Sequence, residues 1–201
     1  MDNITSSKYR AKAKDSFKTK KNLFVFDRVI NNNADFTSAD FKNFQITNEL
    51  VEKYANDYWQ QEYSYLINGK TIKEIQNKIT ELETLNKKLL QDFEQEYVKK
   101  FSTIFPESDF EKLLGEKECY YCGITIEKLE KLADKKKLFN KTNRGWTLEI
   151  DRLKPNLEYS KDNCVMACYW CNNAKTDEFS DDEFKTIGLE IAKIWEKRLK
   201  E

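Results

Sequence analysis

The chain has 201 residues, 39% of them hydrophobic and 13% aromatic, and its 35 Lys and Arg balance 35 Asp and Glu. That is enough apolar material for one or two small cores beneath a densely charged surface, while zero net charge excludes a global field that draws in nucleic acid, so any such affinity must come from local patches. The absence of a signal-peptide core or a long apolar run predicts a soluble, cytoplasmic chain with no membrane partner, and in that reducing compartment cysteines favour metal over disulfides.

Residues 1–22 carry Lys8, Arg10, Lys12, Lys14, Lys18, Lys20 and Lys21 against Asp2 and Asp15, with few apolar side chains. This reads as a flexible basic arm, a solvated tail with a phosphate-tracking arm as the alternative. From 23 to 115 the pattern is helical. Ile72, Ile75, Ile79, Leu82, Leu89, Phe93 and Phe101 mark one face of a long helix, opened by a capping box at Thr71 and Glu74 and ended before Pro106. Asn68-Gly69 separates it from an aromatic-rich helix with Tyr54, Tyr58, Trp59, Tyr63 and Leu66, and the two make a helical hairpin. The hairpin is a plain core or, since the stripe is nearly heptad, an arm that pairs with a second copy or another protein.

Residues 116–201 carry the chemistry. Cys119-x-x-Cys122 and Cys168-x-x-Cys171 give two bites on one tetrahedral Zn²⁺, with the chain between them free to fold. Ile126, Leu129 and Leu132 mark a short amphipathic helix, followed by Lys135, Lys136, Lys137, Lys141 and Arg144, a basic run that is a solvated face or a phosphate contact. Leu148–Arg152 reads as a strand ending in a carboxylate, and Asn163–Ala167 as the returning strand that delivers the second cysteine pair. A helix start follows at Asn172. Closing the zinc site would bring the Asp151 and Asn172 oxygens to face one cation, a hard-oxygen set suited to Mg²⁺ or Mn²⁺. Cys164 alternates with Met166 as a small buried residue. Ser180 and Glu183 form another capping box, before a final helix striped with Phe184, Ile187, Ile191, Ile194 and Trp195.

From Cys119 to Lys175 the sequence resembles the HNH, or ββα-metal, endonucleases, in the four-cysteine branch. The resemblance rests on the two cysteine pairs, Asp151-Arg152, Pro155, Asn163, and Cys171-Asn172-x-x-Lys175. It implies an α+β chain with a ββα-metal domain, a structural zinc on the four cysteines, Asp151 and Asn172 as magnesium ligands, and Asn163 as a brace of the loop between the strands. The same resemblance implies phosphodiester hydrolysis of nucleic acid, with DNA as partner, in a phage, mobile-element or defence setting.

The sequence departs from that family at the general base. Where the family has histidine it has Arg152, and it contains no histidine at all. A guanidinium stays protonated at workable pH, so it cannot take a proton from water, although it can clamp a phosphate. Glu149, on the strand face of Asp151, and Tyr159, in the loop, are the candidate replacements, and solvent is a third route. Lys175 joins the basic run as a candidate nucleic-acid contact. The alternatives to a nuclease are a catalytically lapsed nucleic-acid-binding knuckle and an interaction protein working through the helical hairpin.

Overall fold

A computed structural model describes residues 3–33, 36–138 and 145–201. The architecture is α+β, with helices throughout and, among the described residues, two small two-stranded antiparallel sheets. The chain divides into two compact units, a helical one of Asp2–Ile104 with Asn156–Tyr159 and a knuckle unit of Phe105–Pro155 with Ser160–Glu201.

The helical unit opens on α1 (Asn3–Ile30). The expected basic arm is thus a helix from residue 3. Its few apolar residues fall where they can be buried together, at Tyr9, Ala13 and Phe17, with the small Ser16 between them, and the lysines occupy the remaining faces. Past Leu23 the helix enters the core. There Phe24 meets Phe36, Phe41 and Phe44 edge-on, and Phe41 stacks on Phe93 at 4.9 Å between ring centres. Two short helices, α2 (Ser38–Asn43) and α3 (Asn48–Glu52), are capped by Thr37 and Thr47, and α3 runs into a π-helical turn at Lys53–Tyr58.

The helical hairpin is not formed. Asn68 and Gly69 take φ of 51° and 78°, the left-handed pair that a two-residue β-turn demands, and join β1 (Leu66–Ile67) to β2 (Lys70–Thr71). The aromatic stripe ends with the π-helical turn. Tyr54 and Tyr58 pack on Phe26, whereas Trp59, Tyr63 and Leu66 are exposed.

The long helix is two, α4 (Ile72–Leu85) and α5 (Lys87–Lys100), joined at Asn86. Thr80 and Thr84 hydroxyls bond back to the carbonyls of Gln76 and Thr80, and the Asn86 amide bonds to the Leu82 carbonyl, so polar side chains compete with the ladder at the break. Beyond it Leu90 is buried in place of Leu89, Phe93 and Phe101 are buried as expected, and Tyr97 joins them. Both helices pack on α1. The stripe is therefore consumed inside the unit, which removes the reason to seek a partner chain for it.

The knuckle unit begins with Phe105, edge-on to Phe110 of α6 (Glu107–Gly115), which packs on the strand pair. After the first cysteine pair come α7 (Ile126–Asp134), β3 (Glu149–Arg152), β4 (Cys164–Ala167), α8 (Tyr169–Lys175) and α9 (Asp181–Lys200). The strands are antiparallel, with Glu149 opposite Ala167 and Arg152 opposite Cys164. Leu129, Leu132, Leu148, Met166, Phe184 and Trp195 close the core around the cysteines. No helix among the described residues is long and apolar enough to cross a membrane.

Candidate metal and catalytic site

The first cysteine pair sits in a tight turn in which Gly123 N–H bonds to the Cys119 carbonyl at 2.8 Å and Cys119 N–H to the Ile124 carbonyl at 3.0 Å. Gly123 has φ of 65°, a conformation glycine adopts without strain. The second pair opens α8, where Cys168 is the N-cap and its sulfur accepts from Cys171 N–H. Tyr120 N–H bonds to the Met166 carbonyl at 2.9 Å and ties the turn to β4.

All four sulfurs are buried and lie within 4.8 Å of one another, the only group of three or more potential Cys, His, Asp or Glu ligands among the described residues. The Sγ atoms of Cys122 and Cys168 are 3.8 Å apart. A disulfide needs about 2.05 Å. Four thiolates at about 2.3 Å from a tetrahedral zinc stand about 3.8 Å from each other, so the donors fit that ion. Hydrogen bonds from Cys122, Cys168 and Cys171 hold the Cys119 thiol below the ordinary range, and the same bonds to Cys119 push Cys168 and Cys171 up. Four thiolates packed this closely need a cation among them, and a divalent metal supplies it.

Beside the knuckle, the period of two puts Glu149 and Asp151 on one face of β3. The Asn172 amide donates to Glu149 Oε2 at 2.7 Å. Asp151 has different partners. The Tyr121 hydroxyl donates to its Oδ2 at 2.6 Å, and Lys175 Nζ stands 3.5 Å from the same oxygen. Burial first, and then this hydrogen bond to a carboxylate, raise the Tyr121 phenol well above its usual range. Both contacts fall on Oδ2 of Asp151, and Asn172 is held through its amide nitrogen.

Lys175 does not serve as a surface contact for nucleic acid. Its side chain is 1% exposed, and Nζ also donates to the Arg152 carbonyl at 2.9 Å, bolting the end of α8 to the end of β3. Asn163 holds the neighbouring turn with both ends of its amide, its oxygen accepting from Lys154 N–H at 2.8 Å and its nitrogen donating to the Lys154 carbonyl at 3.1 Å. Arg152 is half-buried at the strand end. Tyr159 is buried within the helical unit, where Lys12 Nζ meets its hydroxyl at 3.2 Å and its N–H donates to Ser16 Oγ at 2.8 Å.

Two residues of the basic run after α7 are engaged by α9. Lys135 donates to the Leu199 carbonyl at 2.6 Å, and Lys137 pairs with Glu201 at 3.5 Å, so both serve the C-terminal end of α9, where cations are favoured. Lys136 is exposed, at a positive φ of 56°. Lys141 and Arg144 lie outside the described residues. Tyr121 has no sequence signal for its contact with Asp151. A tyrosine inside a cysteine turn carries no sign of the carboxylate it will meet, because that carboxylate lies 30 residues away.

No protein-family model matches the chain, nor does any curated protein. Among solved structures the chain is similar to the rare-cutting HNH restriction endonuclease PacI, with 30% sequence identity and a TM-score of 0.39. The likeness covers 47% of this chain and 66% of that one, just short of two thirds of its length.

Proposed function

We propose that the protein is a divalent-metal-dependent endonuclease of the HNH type that hydrolyses phosphodiester bonds in DNA, with zinc as a structural ion. The observation that supports this reading is the four-cysteine cluster, which gathers the turn at Cys119–Cys122 and the start of α8 beside the paired β3 and β4, the elements that carry Glu149, Asp151, Arg152 and Asn172. The side-chain oxygens of Asp151 and Asn172 are hard donors of the kind Mg²⁺ or Mn²⁺ takes. Such an ion would supply charge stabilisation for the phosphate and its leaving oxygen.

In this reading the chain's own residues do the following. Tyr121 and Lys175 fix the orientation of the Asp151 carboxylate through one of its oxygens. Glu149 orients the Asn172 amide and is the candidate acceptor of the proton from the attacking water. Arg152 holds the scissile phosphate, a task its fixed charge suits, in place of the base that histidine provides in the family. Asn163 keeps the turn after β3 in register by bonding both polar groups of Lys154.

The test is cleavage of plasmid DNA with Mg²⁺ or Mn²⁺, each checked against a metal-free control. Asp151→Ala should lose cleavage by at least a hundredfold while zinc content is unchanged. Equal cleavage by parent and variant would refute the assignment. If neither cleaves and both bind DNA, the chain is a nucleic-acid-binding knuckle that has given up catalysis. Arg152→Lys should retain only part of the activity, since an ammonium restores charge without the bidentate fork.

A further inference from the structure

Apart from the lysines after α7 and the buried Lys175, α1 carries a row of exposed cations. Asn3, Ser7, Arg10, Lys14 and Lys18 follow one another at steps of three or four residues and are all exposed, so they form one continuous row along the helix. Ala11, also exposed, lies within the row and adds no bulk. At 1.5 Å per residue the row extends about 22 Å. It holds cations and neutral hydrogen-bonding groups and no carboxylate.

The nearest acids do not cancel it. Asp15 flanks the row and pairs with Lys12 at 3.5 Å. Lys14 reaches Glu94 at 3.8 Å, but both side chains are more than a third exposed, and such a pair contributes little and exchanges readily for another anion. Arg10 and Lys18 have no carboxylate partner among the described residues. In a chain of zero net charge, a row of this kind means that the balancing acids have been placed elsewhere.

We propose that this row of α1 binds the sugar–phosphate backbone of duplex DNA without reading its sequence. The chemistry favours a polyanion with evenly repeated charges, because a straight helix presents its cations at an even rise and the short Asn3 and Ser7 add neutral donors for phosphate oxygens. An anionic membrane surface fits less well, since a helix that lies on lipid needs a broad apolar face toward it, and beside this row only Ile4 and Ala11 are exposed apolar residues. The proposal rests on the nuclease reading only for the choice of DNA, and it concerns binding rather than cleavage.

The experiment measures affinity of the full zinc-loaded chain for a 30-base-pair duplex (roughly three helical turns) by fluorescence anisotropy, without added divalent cation, across a salt series. R10Q/K14Q/K18Q should weaken binding at low salt at least tenfold and flatten the slope of log K against log salt by about 2 to 3, at ~0.9 for each phosphate no longer neutralised. R10K/K14R/K18R should bind like the parent, and circular dichroism checks that each variant folds. K73Q/K88Q/K99Q removes the same charge from exposed lysines elsewhere on the unit and should leave the slope unchanged.

Parent-like binding by R10Q/K14Q/K18Q overturns the proposal, as does an equal loss in K73Q/K88Q/K99Q, a parent that does not bind the duplex, or row-dependent binding to anionic phospholipid vesicles in place of the duplex. The two readings separate cleanly. Row-dependent binding by a chain that never cleaves leaves this proposal standing and removes the nuclease, and cleavage by a chain whose row is irrelevant does the reverse.

Discussion

Lys175 shows how one residue's role depends on what lies across the fold. As the last residue of α8 it would ordinarily be a solvated cation, yet here it is enclosed with Asp151 and the Arg152 carbonyl. Removing one partner of a buried pair leaves the other uncompensated, so Lys175→Met should lower the stability of the knuckle unit by about 3 kcal/mol. Adding Asp151→Asn should recover part of that loss, because the stranded charge is gone while the bond to the Arg152 carbonyl stays broken. Denaturant titration of the four members of the cycle reads the coupling. Additive losses would mean that the 3.5 Å contact contributes nothing. The capping boxes at Thr71 and Ser180 were legible at this same scale, since hydroxyl and carboxylate lie three residues apart and need no distant partner. In both, the hydroxyl hydrogen bond holds the glutamate below the usual carboxylate range.

At the scale of elements, α9 is fixed by its approach to the cysteine turn. A Cβ built on Gly188 would stand 2.5 Å from the Tyr121 carbonyl oxygen and 2.8 Å from its carbon, backbone atoms that cannot swing aside. Helix propensity alone would make Gly188→Ala stabilising by about 1 kcal/mol. Overpacking reverses the sign, and the expected outcome is a net loss of roughly 1–3 kcal/mol, read from the thermal midpoint. Gly115, with open space at its Cβ, is the control, and Gly115→Ala should be neutral or slightly stabilising. Among the helices, periodicity located α7 and α9 but ran α4 and α5 together as one, and of the stripe expected on α9 it is Phe184 and Trp195 that are buried while Ile187 and Ile194 are exposed. It failed where two signals compete. Asn68-Gly69 stops a helix and also closes a β-ribbon, and the ribbon forms because both residues reach positive φ.

For the whole molecule, metal content and pH give the sharpest tests. The protein purified under reducing conditions should carry one zinc per chain. Its removal by a strong chelator should unfold the knuckle unit, since thiolate ligation supplies much of the folding free energy of so small a core. Three of the four tryptophans, Trp146, Trp170 and Trp195, lie in that unit, so their emission should shift to the red while most far-ultraviolet helix signal from the helical unit remains. A zinc-free protein with unchanged fluorescence would remove the knuckle. On the alkaline side, burial pushes the Tyr58 phenol up to about 12 and also raises Tyr97 and Tyr121. A raised folded-state value means that the folded chain holds the proton more tightly than the unfolded chain. These tyrosines therefore contribute stability that is complete below about pH 10 and declines as pH rises through 12. Denaturant midpoints that stay level from pH 9 to pH 12 would contradict the burial of all three.

What the sequence determined by itself is whatever short spacing fixes: the cysteine pairs, the alternation of β3 and β4 that puts Glu149 and Asp151 on one face, and the capping boxes. These interactions are local, so a few neighbouring residues decide them whatever the rest of the chain does. Only the tertiary structure decided that residues 3–22 are helix, because Tyr9, Ala13 and Phe17 gain by burial in a core assembled from Phe41, Tyr97 and Phe101, which stand far along the chain. It also decided the partners at the candidate site, Asn172 with Glu149, and Asp151 with Tyr121 and Lys175. A side chain's charge partner is set by which strand and helix ends the four-cysteine clamp brings together, and no window of sequence contains both.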